Sequence, residues 1–166
     1  MTPETLRLIN QYATKGILVD TNILLLYFIG LTRKDRISRF SRTEQFAPQD
    51  YDLLVALFAD FKDVVTTPTI LVEVSSFINQ IGEPDRSACY ANFAIEIPAL
   101  SEMYIPSREV ASDDWSFVAY GLTDCGVAEV AKNRRYLVLT DDRRVVSFLT
   151  SRSIDAVSFD QLRATS

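Results

Sequence analysis

Apolar and polar positions change their spacing in blocks along the 166-residue chain. Residues 3–14 read as a first helix, with Thr2 as its cap, Pro3 at its first position and Gly16 to end it. The run GILVDTNILLLYFI at 16–29 then divides into two elements. Ile17–Asp20 is apolar on both faces, as a buried parallel strand requires, and Thr21–Leu31 reads as a helix. Residues 31–48 break the apolar pattern and predict a loop or a polar helical hairpin. Gln49–Lys62 is an amphipathic helix with Leu53, Leu54, Leu57, Phe58 and Phe61 on one face.

The alternation continues. Val64–Thr66 predicts a second strand, Thr67-Pro68 a helix start and Thr69–Ile81 the helix. Gly82-Glu83-Pro84 stops it. Residues 85–104 read as helical with a break near Pro98, and 105–116 as irregular. Gly121–Asn133 is a helix start and helix, Tyr136–Thr140 a strand, Asp141–Arg152 a helix and Ile154–Val157 a strand. Residues 158–164 form a last short helix. Strands alternating with helices predict an α/β fold, a parallel sheet with helices on both faces. The length suits one domain over 1–166.

Composition narrows the chemistry. Histidine is absent, which excludes Ser-His-Asp and Cys-His nucleophiles and His-containing zinc sites. The two cysteines, Cys89 and Cys125, form no C-x-x-C pair. The longest apolar stretch after Asp20, Ile23–Ile29, falls short of the roughly 20 residues of a membrane helix. The N-terminus has no signal core. These features predict a cytoplasmic protein with no membrane partner.

What remains is carboxylate chemistry. Asp20 ends the first strand, Asp124 lies in the first turn of a helix, and Asp141 and Asp142 directly follow the strand YLVLT. In open α/β sheets ligands bind beyond the C-terminal strand ends. Glu73 lies inside the helix that follows the second strand. Each acid alone also has an ordinary structural role open to it: Asp20 as a helix cap, Asp124 and Asp142 as complements to a helix dipole, Glu73 on a solvent face. Asp113 and Asp114, in SDDWSF, are further acids near the third motif. Taken together, acids gathered at one sheet edge repel one another, and a divalent cation is the usual remedy. With no histidine and no clustered cysteine, the ligands are oxygens, which favours Mg²⁺ or Mn²⁺.

Four stretches, VDTNILL at 19–25, TPTILVEVSSF at 67–77, GLTDCGVAEVA at 121–131 and VLTDDRRV at 138–145, resemble the successive acidic motifs of PIN-domain ribonucleases. The resemblance implies a three-layer α/β/α sandwich with a central parallel sheet. It also implies Mg²⁺ or Mn²⁺ held by acids and cleavage of single-stranded RNA. In the VapC-type branch it implies the toxin half of a toxin–antitoxin pair, with a cognate antitoxin as partner. By resemblance Asp20 is the first metal ligand, Glu73 the second acid and Asp124 the third. The fourth falls in T-D-D, on Asp142 by the family's T-x-D spacing, with Asp141 as the alternative. Thr21, Asn22 and Thr140 would support the acids or contact phosphate. The distance from Asp20 to Glu73, 73 − 20 = 53 positions, is longer than a compact VapC-like toxin needs.

The net charge of −5 runs against a nucleic-acid binder. Assigning four acids as ligands leaves −1 on the rest of the chain (−5 + 4), and a divalent ion offsets two more charges. Basic residues also cluster. Arg143 and Arg144 stand beside the acids, placed to grip phosphate. Arg33, Lys34 and Arg36 are candidate RNA contacts, with a solvated loop or an acidic partner as the alternatives. The apolar residues of the first helix fit either a homodimer or the core. Two other function classes stay open. One is a PIN-like RNA- or protein-binding module without activity. The other is an aspartyl-nucleophile phosphohydrolase, which wants an acid two residues after the nucleophile, where this chain has Asn22.

Overall fold

The computed structural model describes residues 2–112 and 114–164; Asp113 lies outside them, and of Asp114 only the backbone is described. Five parallel strands form one sheet: β1 (Ile17–Val19), β2 (Val64–Thr66), β3 (Ser101–Glu102), β4 (Leu137–Thr140) and β5 (Ala156–Ser158), in the order β3-β2-β1-β4-β5. Ile17 pairs with both Val64 and Leu137, so β1 is central. The helices are α1 (Pro3–Tyr12), α2 (Thr21–Thr32), α3 (Pro48–Ala59), α4 (Pro68–Ile78), α5 (Asp85–Glu96), α6 (Ser107–Val110), α7 (Asp114–Ala131), α8 (Arg143–Ser151) and α9 (Phe159–Arg163). Strands this short, with β1 and β4 buried along their whole length, need cover on both faces. The helices between the strands supply it, as the chain moves from β1 toward β3 and then returns to β4 and β5. The result is the expected α/β fold, helices flanking a parallel sheet.

Helix α2 explains how the first motif is held. Ile23, Leu24, Leu25, Leu26 and Phe28 are all fully buried, so this helix is enclosed on every side. Gly30 lets α3 approach it. A Cβ there would stand 2.2 Å from Tyr51 Cδ2. The segment after α2 is a 3₁₀ turn, Lys34–Arg39, followed by tight turns. Ile37, Phe40 and Phe46 anchor it, and the buried Thr43 hydroxyl donates to the Ile37 carbonyl at 2.8 Å. On α1, Ile9 and Tyr12 belong to the core while Leu6 is exposed.

Some elements differ from the sequence expectation. The helical reading of 85–104 is interrupted after Ala99 by the two-residue strand β3, too short to show a period and defined by pairing with β2. The irregular reading of 105–116 gives way to α6 and the start of α7. Gly121 (φ 78, ψ −174) breaks the helical backbone inside α7, in a region that glycine adopts at low cost, so the helical stretch that carries Asp124 starts there as the sequence predicts. The last strand lies one to two residues later than expected. Among the described residues no helix is long and apolar enough to cross a membrane.

Candidate active site

The strand order reverses between β1 and β4, the switch point where ligands of open α/β sheets collect. Asp20 follows β1 and caps α2, its Oδ1 accepting from the Thr21 N–H at 2.7 Å. Its Oδ2 accepts from the Thr140 hydroxyl at the end of β4, at 2.6 Å. The side chain is 7% exposed. Burial pushes its carboxyl up to about 6, against these two hydrogen bonds, and repulsion from Asp141 and Glu73 adds to the rise.

Glu73 projects from the first half of α4 and is half-buried. Both of its oxygens are held. Oε2 accepts from Thr21 Oγ1 at 2.7 Å and Oε1 from Thr123 Oγ1 at 2.5 Å. Thr21 therefore ties the first acid to the second: its N–H serves Asp20 and its hydroxyl serves Glu73. Thr123 ties the second acid to the helix that carries the third. The Thr67 cap fixes the start of α4, accepting from the Ile70 N–H at 3.3 Å, and so fixes the turn on which Glu73 sits.

Asp124 lies on α7 just after the Gly121 kink. It shares with Glu73 a cleft of about 610 Å³, also lined by Pro68, Val72 and Tyr120. Burial pushes the Asp124 carboxyl up to about 7, and the charges of Asp20, Asp142 and Glu73 push the same way. Arg144 opposes them. Its guanidinium stands 5.8 Å from the Tyr120 ring centre, and Tyr120 in turn stacks on Phe148 at 4.1 Å. Helix α8 thus delivers a cation to the edge of the cleft.

The two acids after β4 have different surroundings. Asp142 caps α8, its Oδ1 accepting from the N–H groups of Arg144 and Val145 at 2.7 and 3.4 Å. Asp141 is half-buried and receives the Asn22 amide at 3.2 Å and the Gln45 amide at 3.3 Å. Thr140 orders both strand ends, because its hydroxyl donates to Asp20 and accepts from the Asp142 N–H at 3.1 Å.

Five carboxylates thus act on one another around the ends of β1 and β4, with Asp20 and Asp124 at the centre of the repulsion. Among the described residues no three acidic, cysteine or histidine side chains stand together so that they could hold a metal ion. The donor set is all oxygen, carboxylates with hydroxyls and amides behind them, which fits a hard divalent cation and not zinc.

The remaining predicted contacts fall in two groups. Arg143 is exposed at the start of α8, 4.0 Å from Asp160. Arg33, Lys34 and Arg36 lie on the surface turn after α2, where they pair with Asp35 and Asp85, with Asp52, and with Asp85. Gln45, Thr123 and Tyr120 are site residues that sequence reasoning missed. Thr123 stands next to a predicted acid, a usable signal. Gln45 carried none.

In comparisons with known proteins, no family model matches the chain, and no curated protein matches it.

Proposed function

We propose that this chain is a metal-dependent endoribonuclease of the PIN type, hydrolysing phosphodiester bonds of single-stranded RNA. The observation that supports it most is the meeting of Asp20, Glu73, Asp124 and the Asp141-Asp142 pair at the sheet's switch point, with two of these carboxyls raised by burial and mutual repulsion. Structural acids are normally placed so that their charge is favoured. Here burial and neighbouring carboxylates disfavour the charged forms of Asp20 and Asp124, the pattern of a functional site.

Asp20, Glu73, Asp124 and one of Asp141 and Asp142 would hold Mg²⁺ or Mn²⁺. When bound, such an ion supplies Lewis acidity at the scissile phosphate. Glu73, fixed through both oxygens by two threonine hydroxyls, orients the attacking water and accepts its proton. Arg144 and Arg143 face the phosphates that enter along α8. Asn22 donates to Asp141, and no acid stands two residues after Asp20, which argues against an aspartyl-phosphate enzyme.

The toxin of a toxin–antitoxin pair is the narrower form of this reading, with an antitoxin as partner. A PIN-like binding module without activity is the second reading, favoured by the finding that among the described residues no three acidic, cysteine or histidine side chains stand together so that they could hold a metal ion. Cleavage of mixed-sequence RNA with Mn²⁺ or Mg²⁺, with chelator and with Asp20→Asn separates them. Metal-dependent cleavage lost in Asp20→Asn supports the nuclease. Equal cleavage by variant and wild type sinks the mechanism, and an inert folded wild type moves the reading to the binding module.

A further inference from the structure

A second cavity, of about 120 Å³, opens beside the carboxylate cleft. Pro68, Thr69 and Leu122 line both spaces, so the two share a wall. The rest of the lining is mainly apolar, with Met103, Ile105 and Val130. Such a space is well below the roughly 300 Å³ at which drug-sized ligands begin to fit. An apolar cavity of about 150 Å³ accepts one benzene ring. At about 120 Å³ the space, open at its rim, takes at most one six-membered ring and no fused pair.

Three further features point to what that ring is. Tyr104 lines the cavity yet is 74% exposed, a free aromatic face at its rim. Unstacked bases of single-stranded RNA are held by stacking on such faces. Thr69 supplies a polar atom in the shared wall. Its hydroxyl is engaged once, with Thr67 Oγ1 at 2.9 Å, and so keeps at least one lone pair for an N–H on a base edge. Gly126 forms an open part of the lining: a Cβ there would meet only Thr69 Oγ1, at 4.0 Å.

We propose that this cavity receives a pyrimidine base next to the cleaved phosphate, so that the protein selects a one-ring base at that position and excludes the larger purines. The proposal rests on the reading of the neighbouring cleft as an RNA site.

Binding in chelator tests it apart from catalysis. Labelled oligouridine, oligoadenosine and an abasic ribose oligomer of equal length carry the same phosphates and differ only in the base. By fluorescence anisotropy the wild type binds oligouridine about tenfold more tightly than the abasic oligomer, the factor that one stacked base is worth, and more tightly than oligoadenosine because the cavity is too small for a two-ring base. Gly126→Leu narrows the cavity from a helical position where the added Cβ meets only Thr69 Oγ1, at 4.0 Å, and brings oligouridine down to the abasic level, with the melting temperature and Gly126→Ala as the controls on folding. Tyr104→Ala, at the exposed rim, gives a partial loss.

Equal binding of the three oligomers by the wild type, or a uridine preference that survives Gly126→Leu, overturns the proposal and leaves the cavity to an apolar side chain of a protein partner. Mn²⁺-dependent cleavage with no base preference would likewise refute the pocket while keeping the nuclease. A uridine preference abolished by Gly126→Leu, in a protein that cleaves nothing, would support the pocket and refute the nuclease.

Discussion

Replacing Asp20 by asparagine probes the energetics of the site with almost no change of shape. Burial pushes the folded carboxyl from its ordinary 3.8 to about 6. At about 1.4 kcal/mol for each pH unit, keeping Asp20 ionised above pH 6 costs the folded protein about 3 kcal/mol. Asparagine removes that cost and still accepts the Thr21 N–H. It turns an amide toward Thr140, which gives up its present donation, and one such hydrogen bond is worth about 1 kcal/mol. The variant is therefore more stable by about 2 kcal/mol at pH 8 in chelator. Asp124 adds to this, because the charge on Asp20 is one of the causes that raise it.

The sign depends on pH. Unfolded Asp20 releases its proton near 3.8 and folded Asp20 near 6, so the folded state holds the extra proton between them. Wild-type stability from this group is complete below pH 4 and is lost as pH rises toward 6. The advantage of asparagine accordingly fades below pH 6 and reverses near pH 4. For a chain of this length 1 kcal/mol moves the melting temperature by about 2–4 °C. In scanning calorimetry with chelator, Asp20→Asn melts about 4–8 °C above wild type at pH 8. An equal or lower melting temperature at pH 8, or a difference that ignores pH, would refute the claim that burial holds this acid in an unfavourable state.

Two further substitutions address neighbouring claims. Asp142→Asn keeps the cap of α8, since asparagine caps as well as aspartate, and leaves stability within about 0.5 kcal/mol, whereas Asp142→Ala loses about 1 kcal/mol. Loss of cleavage in a fully stable Asp142→Asn would assign the fourth acid to Asp142, and the same result in Asp141→Asn alone would assign it to Asp141. Gly30→Ala drives a methyl group into the Tyr51 ring and costs about 1–3 kcal/mol in urea unfolding, although alanine is the better helix former. An unchanged midpoint would mean that α2 and α3 do not pack as described.

The junction at Asp20 was readable in advance because all its signals are local. An apolar run of strand length, one acid, a threonine and then an apolar run of helix length leave few arrangements open. The Thr67-Pro68 start of α4 was readable for the same reason, a cap and a preset φ. The strand β3 was not, because two residues carry no period and become a strand by pairing with β2. Nor was Gln45, whose amide reaches an acid 96 positions further along the chain. The pairing of Arg33, Lys34 and Arg36 with Asp52 and Asp85 was also hidden, since it depends on how the turn after α2 lies against α3 and α5.

Residue types and short-range spacing determined where strands end, where helices are capped and that oxygen is the ligand chemistry on offer. Those are properties of neighbouring residues and of composition. Tertiary structure decided which acids share one field. The strand order sets β4 against β1 and brings Thr140 onto Asp20 across 120 positions. The enclosure of α2 removes water from the same carboxylate and raises it. Both effects fall off within a few ångströms, so they depend on which distant segments are packed together, and local spacing along the chain does not encode that.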